Sequence, residues 1–317
     1  MRFGAIIVLF FLGAFAAHGQ EDLELAARYS PVFHQFIGHH PRADLLAALD
    51  YDGDLNTLNN WEHLDNYPLL GTIYYSVVST RTHWFLTYVV FHPRDYARFC
   101  TLEICHENDL EGLKLTVQRD GSPWGRLRLV EAIAHAHILA YATSPEVQGK
   151  QGALLPPPLL EDGHPMMTIE AEGHGVRAVT HPEQISSSRR LVYRFDDTSP
   201  VEPSWPEERE ATYTLVPIAT LLWATLQLPI HLPTLTNFFT YTHPFLGLPM
   251  LLPGSLRGDN YSDNRANLPW YWTYYKDKLL PKGAWFLDPA LNLLKRFSLP
   301  EEVARTYEDN VFLAPVP

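Results

Sequence analysis

Residues 69–91 contain two strand-like segments, which restrict the chain to a fold built on a β-sheet. Residues 69–78 and 83–91 are rich in β-branched and aromatic side chains, and these residue types favour strands. The four residues between them have the length of a hairpin connection. The second segment is apolar on both faces, which is typical of a central strand.

Further strands are predicted at residues 110–118, 126–141, 167–172 and 190–195, and a short helix at residues 22–28. Turn residues separate these segments, and few stretches have a helical period. The pattern predicts a mainly β protein, an antiparallel β-sandwich with a Pro-rich, partly helical C-terminal extension. We expect residues 20–205 to form a metal-binding sandwich and residues 206–317 to form the extension packed on it.

The N-terminus has the pattern of a secretory signal. Arg2 precedes an apolar run, residues 6–16, which is too short to span a bilayer comfortably. Small residues follow at Ala17 and Gly19. We therefore expect residues 1–19 to be a signal peptide and the protein to be exported, to a periplasm or to the outside.

The net charge of −12 limits the classes of partner. Nucleic-acid binding requires a basic face, and the composition provides none, so we expect no nucleic-acid partner. The same charge disfavours simple electrostatic adhesion to anionic lipid. A divalent cation is the partner that a local excess of carboxylates suits best. The sequence does not determine the oligomeric state.

Residues 211–256 form a stretch of 46 residues without Asp, Glu, Lys or Arg. Six prolines interrupt its apolar runs, whereas a membrane-spanning helix needs about 20 apolar residues in succession. We expect this segment to pack over the sandwich. The alternative is an apolar patch that meets lipid or a partner protein.

The chain has two cysteines, Cys100 and Cys105. In an oxidising compartment a close pair of this kind usually forms a disulfide. Closing so short a loop would stabilise the fold by about 2 kcal/mol. Two unpaired thiols are the alternative.

A group of acidic and imidazole side chains surrounds the predicted strand at residues 110–118. Asp109 and Glu111 are two residues apart, so both point to one face of the strand, the face that continues into apolar residues. His106 precedes them by the length of a turn, and Asp95 ends the neighbouring strand. Carboxylates at the rim of an apolar face repel each other unless a positive charge lies between them.

Two sources of that positive charge are consistent with the spacing. A hard, oxygen-rich set with one imidazole suits Ca²⁺ or Mg²⁺, with Mn²⁺ as a further candidate. Alternatively, Arg94, Arg98 or Lys114 neutralises the acids in ordinary ion pairs.

An ordered set of aromatic, proline, acidic and histidine residues spans this region: Tyr88, Phe91, Pro93, Asp95, His106, Asp109 and Glu111. Their order resembles the signature of the necrosis- and ethylene-inducing cytolysin-like proteins and of a related vacuolar-protein-sorting family. Two positions depart from the cytolysin pattern, Asn108 in place of a second histidine and Leu110 in place of a tryptophan. The His-Glu-Asn-Asp-x-Glu run also resembles uncharacterised exported bacterial proteins, and this likeness is the closer one.

The resemblance implies a metal centre and a mode of action. It implies that Asp95, His106, Asp109 and Glu111 are metal ligands in a cytolysin-like fold. It also implies that the protein recognises a glycolipid, phospholipid or polysaccharide through an open metal site, because the cytolysins damage membranes without breaking bonds.

His174 follows a strand between two glycines. The related families place a similar histidine on the strand that faces the metal site, so His174 is a candidate supporting group or general base, as is Glu172. In that alternative the protein is a metal-dependent hydrolase of phosphoester or ester bonds. A second alternative is a non-catalytic interaction protein with a structural metal. His135 and His137 share one face of a predicted strand and form a weaker candidate pair.

Overall fold

The computed structural model describes residues 19–53, 59–98, 105–135, 137–224, 240–242, 249–251 and 267–313. Within these ranges the protein is mainly β, as predicted, with few and short helices. The strands are β1 Val32–Phe36, β2 Thr72–Thr80, β3 His83–Asp95, β4 His106–Gln118, β5 Arg126–Ala134, β6 His137–Ala142, β7 Gln148–Gly149, β8 Leu160–Glu161, β9 His164–Ile169, β10 Val176–Ala178, β11 Arg190–Phe195, β12 Glu210–Pro217, β13 Thr240–Thr242, β14 Pro249–Leu251, β15 Phe297–Ser298 and β16 Tyr307–Asp309.

The helical elements are peripheral to the strands. Residues 19–28 are helical, which extends the helix predicted from residue 22. The other helices and helical turns are Pro41–Asp44, Asn60–His63, Pro182–Ile185, Ala219–Trp223, Pro269–Tyr271, Ala284–Leu287 and Pro289–Arg296. In the described ranges no helix is long and apolar enough to cross a membrane.

One large sheet of twelve strands organises the protein, in the order β10-β9-β1-β11-β12-β2-β3-β4-β5-β6, with β16 paired to β2 and β8 to β9. The prediction of an antiparallel arrangement is wrong, because the sheet is mixed: β1 pairs parallel with β9, and β12 pairs parallel with both β11 and β2. The topology does not confirm a sandwich. The parallel pairs of β1 with β9 and of β12 with β2 join segments that are distant in sequence, and local patterns carry no information about such partners.

One predicted strand agrees with the structure and another is divided in two. Residues 190–195 form β11 with the predicted bounds, but residues 126–141 form two strands, β5 and β6. Between them His135 adopts a left-handed conformation, with φ of 58°. His135 and His137 therefore do not share one face of a single strand.

The long central strands β3 and β4 are buried along almost their whole length. Both faces of these strands are therefore covered, which explains why residues 83–91 are apolar throughout. β10, at one edge of the sheet, packs against β5, which is next to the strand at the other edge. This contact brings the residues before β10 close to the site described below.

A buried ion pair attaches the C-terminal residues to the sheet. Nζ of Lys114 on β4 lies 2.9 Å from Oε2 of Glu131 on β5 and donates to the carbonyl oxygen of Trp285 at 2.9 Å. Oε1 of Glu131 accepts from Tyr274 at 2.6 Å, from the Trp285 indole at 3.0 Å and from Asn292 at 3.0 Å. Burial lowers the pKa of Lys114 to about 8.

The charge-free segment enters the sheet where the structure describes it. Its first residues belong to β12, and Tyr213, Ile218 and Leu222 are buried. Residues 225–239, 243–248 and 252–266 lie outside the described ranges, as does the predicted signal peptide up to residue 18. The signal peptide therefore stays a prediction, and so do the domain boundaries at residues 19 and 205.

His34 on β1 is expected to make the fold sensitive to acid. The side chain is 3 % exposed, and neither ring nitrogen has a hydrogen-bond partner in the described ranges. Burial lowers the pKa of His34 to about 4, so the unfolded chain binds a proton first as pH falls below about 6.5. Neutral His34 therefore makes its full contribution to the free energy of unfolding above pH 6.5. This contribution, up to roughly 3 kcal/mol, is lost as the pH falls towards 4.

The measurement is urea denaturation between pH 7 and pH 4 for wild type and for His34→Phe. We expect the variant to lose less stability over this range. Equal losses in the two proteins would show that other groups set the acid sensitivity.

Candidate metal centre

The pairing of β3 with β4 brings the predicted site residues to one end of the two strands. Asp95 lies opposite His106, His92 opposite Asp109, and Val90 opposite Glu111. Asp109 and Glu111 share one face, as their spacing predicts.

A left-handed residue lies between His106 and the two acids of β4. In a regular strand His106 and Asp109, three residues apart, would point to opposite faces. Asn108 between them is left-handed, with φ of 66°. Asparagine tolerates this conformation better than most residues, and Oδ1 of Asn108 also accepts from Nδ2 of Asn60 at 2.6 Å.

Asp95 and His106 are already in contact. Nε2 of His106 lies 3.5 Å from Oδ2 of Asp95. Nδ1 of His106 lies 3.0 Å from the carbonyl oxygen of Asn108 and 3.2 Å from that of Glu107. In a neutral ring, Nδ1 must carry the hydrogen that faces these carbonyls, so the Nε2 lone pair is directed towards Asp95.

The carboxyl groups of this site are crowded and poorly hydrated. Burial and the charge of Asp109 raise the pKa of Asp95 to about 8. Burial, and next the charge of Asp109, raise the pKa of Glu111 well above its usual range. Oε1 of Glu111 accepts from the main-chain N–H of His135 at 2.8 Å, whereas its buried Oε2 has no hydrogen-bond partner in the described ranges. Such a carboxyl is costly to keep charged without a nearby cation.

His174 supports Asp109 from the facing loop. The ring is fully buried; Nδ1 lies 3.0 Å from Oδ2 of Asp109, and Nε2 lies 3.2 Å from Oδ1 of Asp44. Burial alone lowers the pKa of His174, but its hydrogen bonds with the two carboxylates outweigh burial and raise the pKa to about 10. At neutral pH the ring therefore holds both protons and orients Asp109.

Asp44 also belongs to the site, although the sequence analysis did not identify it. Besides His174, it accepts hydrogen bonds from the Tyr96 hydroxyl at 2.6 Å and from the main-chain N–H groups of Gly38 at 2.7 Å and Glu172 at 2.8 Å. No local pattern marks Asp44, because its partners come from distant segments. It is held rigidly and in turn fixes the His174 ring.

His92 completes the buried stack. Its ring lies parallel to that of His174, with centroids 3.8 Å apart, and its Nε2 donates to Oε1 of Gln35 at 3.0 Å. Burial, with the nearby charge of His174, lowers the pKa of His92 well below its usual range. The stack therefore combines one neutral and one charged imidazole.

The other candidate residues have different partners. The Glu172 side chain pairs with Nδ1 of His39 at 2.9 Å, while its main-chain N–H donates to Asp44. Nε2 of His135 pairs with Oε2 of Glu170 at 2.9 Å.

The ion pairs proposed as an alternative to a metal are in part excluded. Lys114 pairs with Glu131, away from the site, so its expected role there is wrong. The guanidinium of Arg94 lies over the Trp61 ring at 4.8 Å, and its charge lowers the pKa of Asp95.

The side chains of this site can be compared with the ligands that a metal ion needs. Across the ranges that the structure describes, no three or more His, Cys, Asp or Glu side chains are already arranged so that they could hold an ion. The residue types nevertheless suit a divalent cation, and the unpartnered Oε2 of Glu111 is an available oxygen donor. Cation binding at this site would therefore require side-chain rotation.

Cys105 lies directly before β4 and is 4 % exposed; its Sγ accepts from the main-chain N–H of Ala97 at 3.2 Å. Cys100 lies outside the described residues, so the disulfide with Cys105 stays a prediction.

Comparison with known proteins gives few matches. No family model and no curated protein matches the sequence. Similar solved structures include "Toxin fold for microbial attack and plant defense", 14% identical, covering 50% of this chain and 68% of that chain with a TM-score of 0.33. Another is Necrosis and Ethylene inducing Protein 2 from the causal agent of cocoa's Witches Broom disease, 15% identical, covering 50% and 68% with a TM-score of 0.33.

NLPPya in complex with glucosamine is 12% identical and covers 51% of this chain and 68% of that chain, with a TM-score of 0.33. These structures are necrosis- and ethylene-inducing proteins, the family that the motif resembles. At such identities and TM-scores the likeness establishes neither the fold nor the function of this chain.

Proposed function

We propose that the protein binds one divalent cation, Ca²⁺ or Mg²⁺ in preference to Mn²⁺, through Asp95, His106, Asp109 and Glu111. The observation that carries the proposal is the unpartnered, buried Oε2 of Glu111 beside two further carboxyl groups. A cation between these groups would replace their mutual repulsion with attraction. The lone pair of His106 Nε2, directed towards Asp95, would add a nitrogen donor.

We further propose that this cation site recognises a glycolipid, phospholipid or polysaccharide, and that the protein is exported. Four protein ligands leave positions open on ions that take six or more oxygen donors. The side chains of Asp95 and Asp109 retain 12% and 9% exposure, so solvent reaches the site. Hydroxyl or phosphate oxygens of a ligand would fill the open positions.

The geometry favours recognition over hydrolysis. A general base must be able to accept a proton, and in the cation-free site two carboxylates raise the pKa of His174 to about 10, so the ring is already protonated at neutral pH. The Glu172 side chain is paired with His39. In this proposal His174 positions Asp109, and neither His174 nor Glu172 acts as a base.

The first experiment measures cation content and affinity. We expect elemental analysis of the purified protein, and titration calorimetry after chelation, to detect about one ion per chain. Asp109→Asn combined with Glu111→Gln should abolish binding. Glu107→Gln, on the same strand, is the matched control, because Oε1 of Glu107 accepts from the main-chain N–H of Trp61 at 3.1 Å. Stoichiometric binding that survives the double substitution would place the ion elsewhere.

The second experiment tests recognition. Phosphatidylcholine vesicles that contain phosphatidylinositol or a glycosphingolipid, and immobilised neutral or acidic polysaccharides, are the probes. We expect binding that chelation and Asp109→Ala both abolish. Cation binding without any of these interactions would favour a structural ion.

Replacing His174 should weaken the cation site without removing any ligand. His174→Gln loses the charge that orients Asp109, and loss of such a supporting group typically lowers metal affinity ten- to a hundredfold. Because the substitution also leaves Asp44 less well paired, Asp44→Asn/His174→Gln is the companion variant that restores charge balance. Calorimetric affinities equal to wild type in both variants would remove His174 from the site.

A further inference from the structure

A groove of about 790 Å³ lies away from the metal ligands, along the outer edge of β6. Residues 137–140 of β6 form its floor, residues 149–155 one wall, and residues 274–279 the other. Its floor is a sheet edge, since β6 ends the order of strands in the main sheet.

Main-chain groups of the floor face the groove. On the same edge, the N–H of Leu155 donates to the carbonyl oxygen of Ala140, and its carbonyl oxygen accepts from the N–H of Ala142. The main-chain groups of Ala140 and Ala142 therefore point to the outer side of β6, away from β5. Alternate residues of a strand direct their main-chain groups to the same side. The N–H and C=O of Ile138 and the N–H of Ala140 therefore point into the groove, without a main-chain partner in the described ranges.

The rim is basic although the protein is strongly acidic. Lys276 and Lys278 line the groove, and both are exposed. Tyr275, which directly precedes Lys276, is 55% exposed and contacts His137 on the floor, with ring centroids 5.0 Å apart. Apolar side chains such as Leu154 line the remaining surface.

The lysine-bearing wall is held in place from beneath. Tyr274 donates to the buried carboxylate of Glu131, and the Arg296 guanidinium lies 3.6 Å from the centre of the Tyr274 ring. Arg296 also forms an ion pair with Asp277. A preformed wall of this kind does not have to order when a ligand binds.

We propose that this groove binds an extended acidic peptide segment of a partner protein, which adds a strand to the edge of β6. The partner's main chain would pair with the exposed groups of Ile138 and Ala140. Alternate side chains would enter the apolar wall and reach Lys276 and Lys278. The positive charges of Lys276 and Lys278 favour an acidic segment, and the open sheet edge favours an extended one.

The test uses fluorescence anisotropy with a labelled, end-capped peptide of alternating Glu and Val. Two matched probes accompany it: the same peptide N-methylated at its central peptide bonds, and an alternating Lys and Val peptide. N-methylation removes main-chain donors but preserves charge. Protein variants are Lys276→Ala/Lys278→Ala and, as a control outside the groove, Lys282→Ala.

We expect saturable binding of the Glu–Val peptide that N-methylation weakens about tenfold. The double lysine variant should weaken binding by about three- to tenfold, and Lys282→Ala should not change it. The Lys–Val peptide should not bind. Equal affinity of the plain and N-methylated peptides, insensitivity to the lysine variants, or no saturable binding at millimolar peptide would each overturn the proposal, as would binding of anionic vesicles or polysaccharides in its place.

Discussion

Glu111→Gln is expected to stabilise the cation-free protein and to destabilise the cation-loaded one. Without a cation, the carboxyl must either stay charged with Oε2 unpartnered or take up a proton, and an amide avoids both. The gain should be about 1–3 kcal/mol. In saturating cation the sign reverses, because binding at a hundred times Kd stabilises wild type by about 2.7 kcal/mol and the variant loses this contribution.

The measurement is thermal and urea denaturation at neutral pH with chelator, and with Ca²⁺, Mg²⁺ or Mn²⁺ in turn. Wild type should gain about 5–10 °C in Tm on cation addition, and the variant should gain little. Glu107→Gln serves again as the control on the same strand. If Glu111→Gln changes stability by the same amount with and without cation, Glu111 is not a ligand.

Glu131→Ala is expected to cause the largest loss of stability among single substitutions outside the metal site. It leaves the Lys114 ammonium buried without its partner and removes the acceptor for Tyr274, Trp285 and Asn292. Breaking a buried pair in this way typically costs about 3–5 kcal/mol. Residues 274–292 should detach first, because this cluster holds them to the sheet.

Limited proteolysis and Trp285 fluorescence would report that detachment. The paired variant Lys114→Met/Glu131→Leu is the control, since replacing both charges with apolar groups avoids a lone buried charge and should recover part of the loss. A loss below about 1 kcal/mol for Glu131→Ala would mean that the pair contributes no more than a surface ion pair.

Local patterns in the sequence predicted the elements of the fold well and their partners poorly. Composition and alternation indicated the strands at residues 83–91 and 190–195, because strand preference is set by neighbouring side chains. They did not indicate that β12 enters the sheet between β11 and β2 in parallel pairings. The pairing of β12 with β2 joins distant segments, and its free energy depends on the packing of the whole sheet.

The same distinction between local patterns and long-range contacts applies to the candidate site. Spacing alone put Asp109 and Glu111 on one face, because alternation along a strand is a local property. Only the tertiary structure brought Asp44 and His174 together around Asp109 and placed His106 opposite Asp95 in the pairing of β3 with β4. The tertiary structure also pairs Lys114 with Glu131 and not with the acids of the site. Sequence sets which groups are charged, but burial and the contacts between distant segments decide which of those charges must be compensated, and by what.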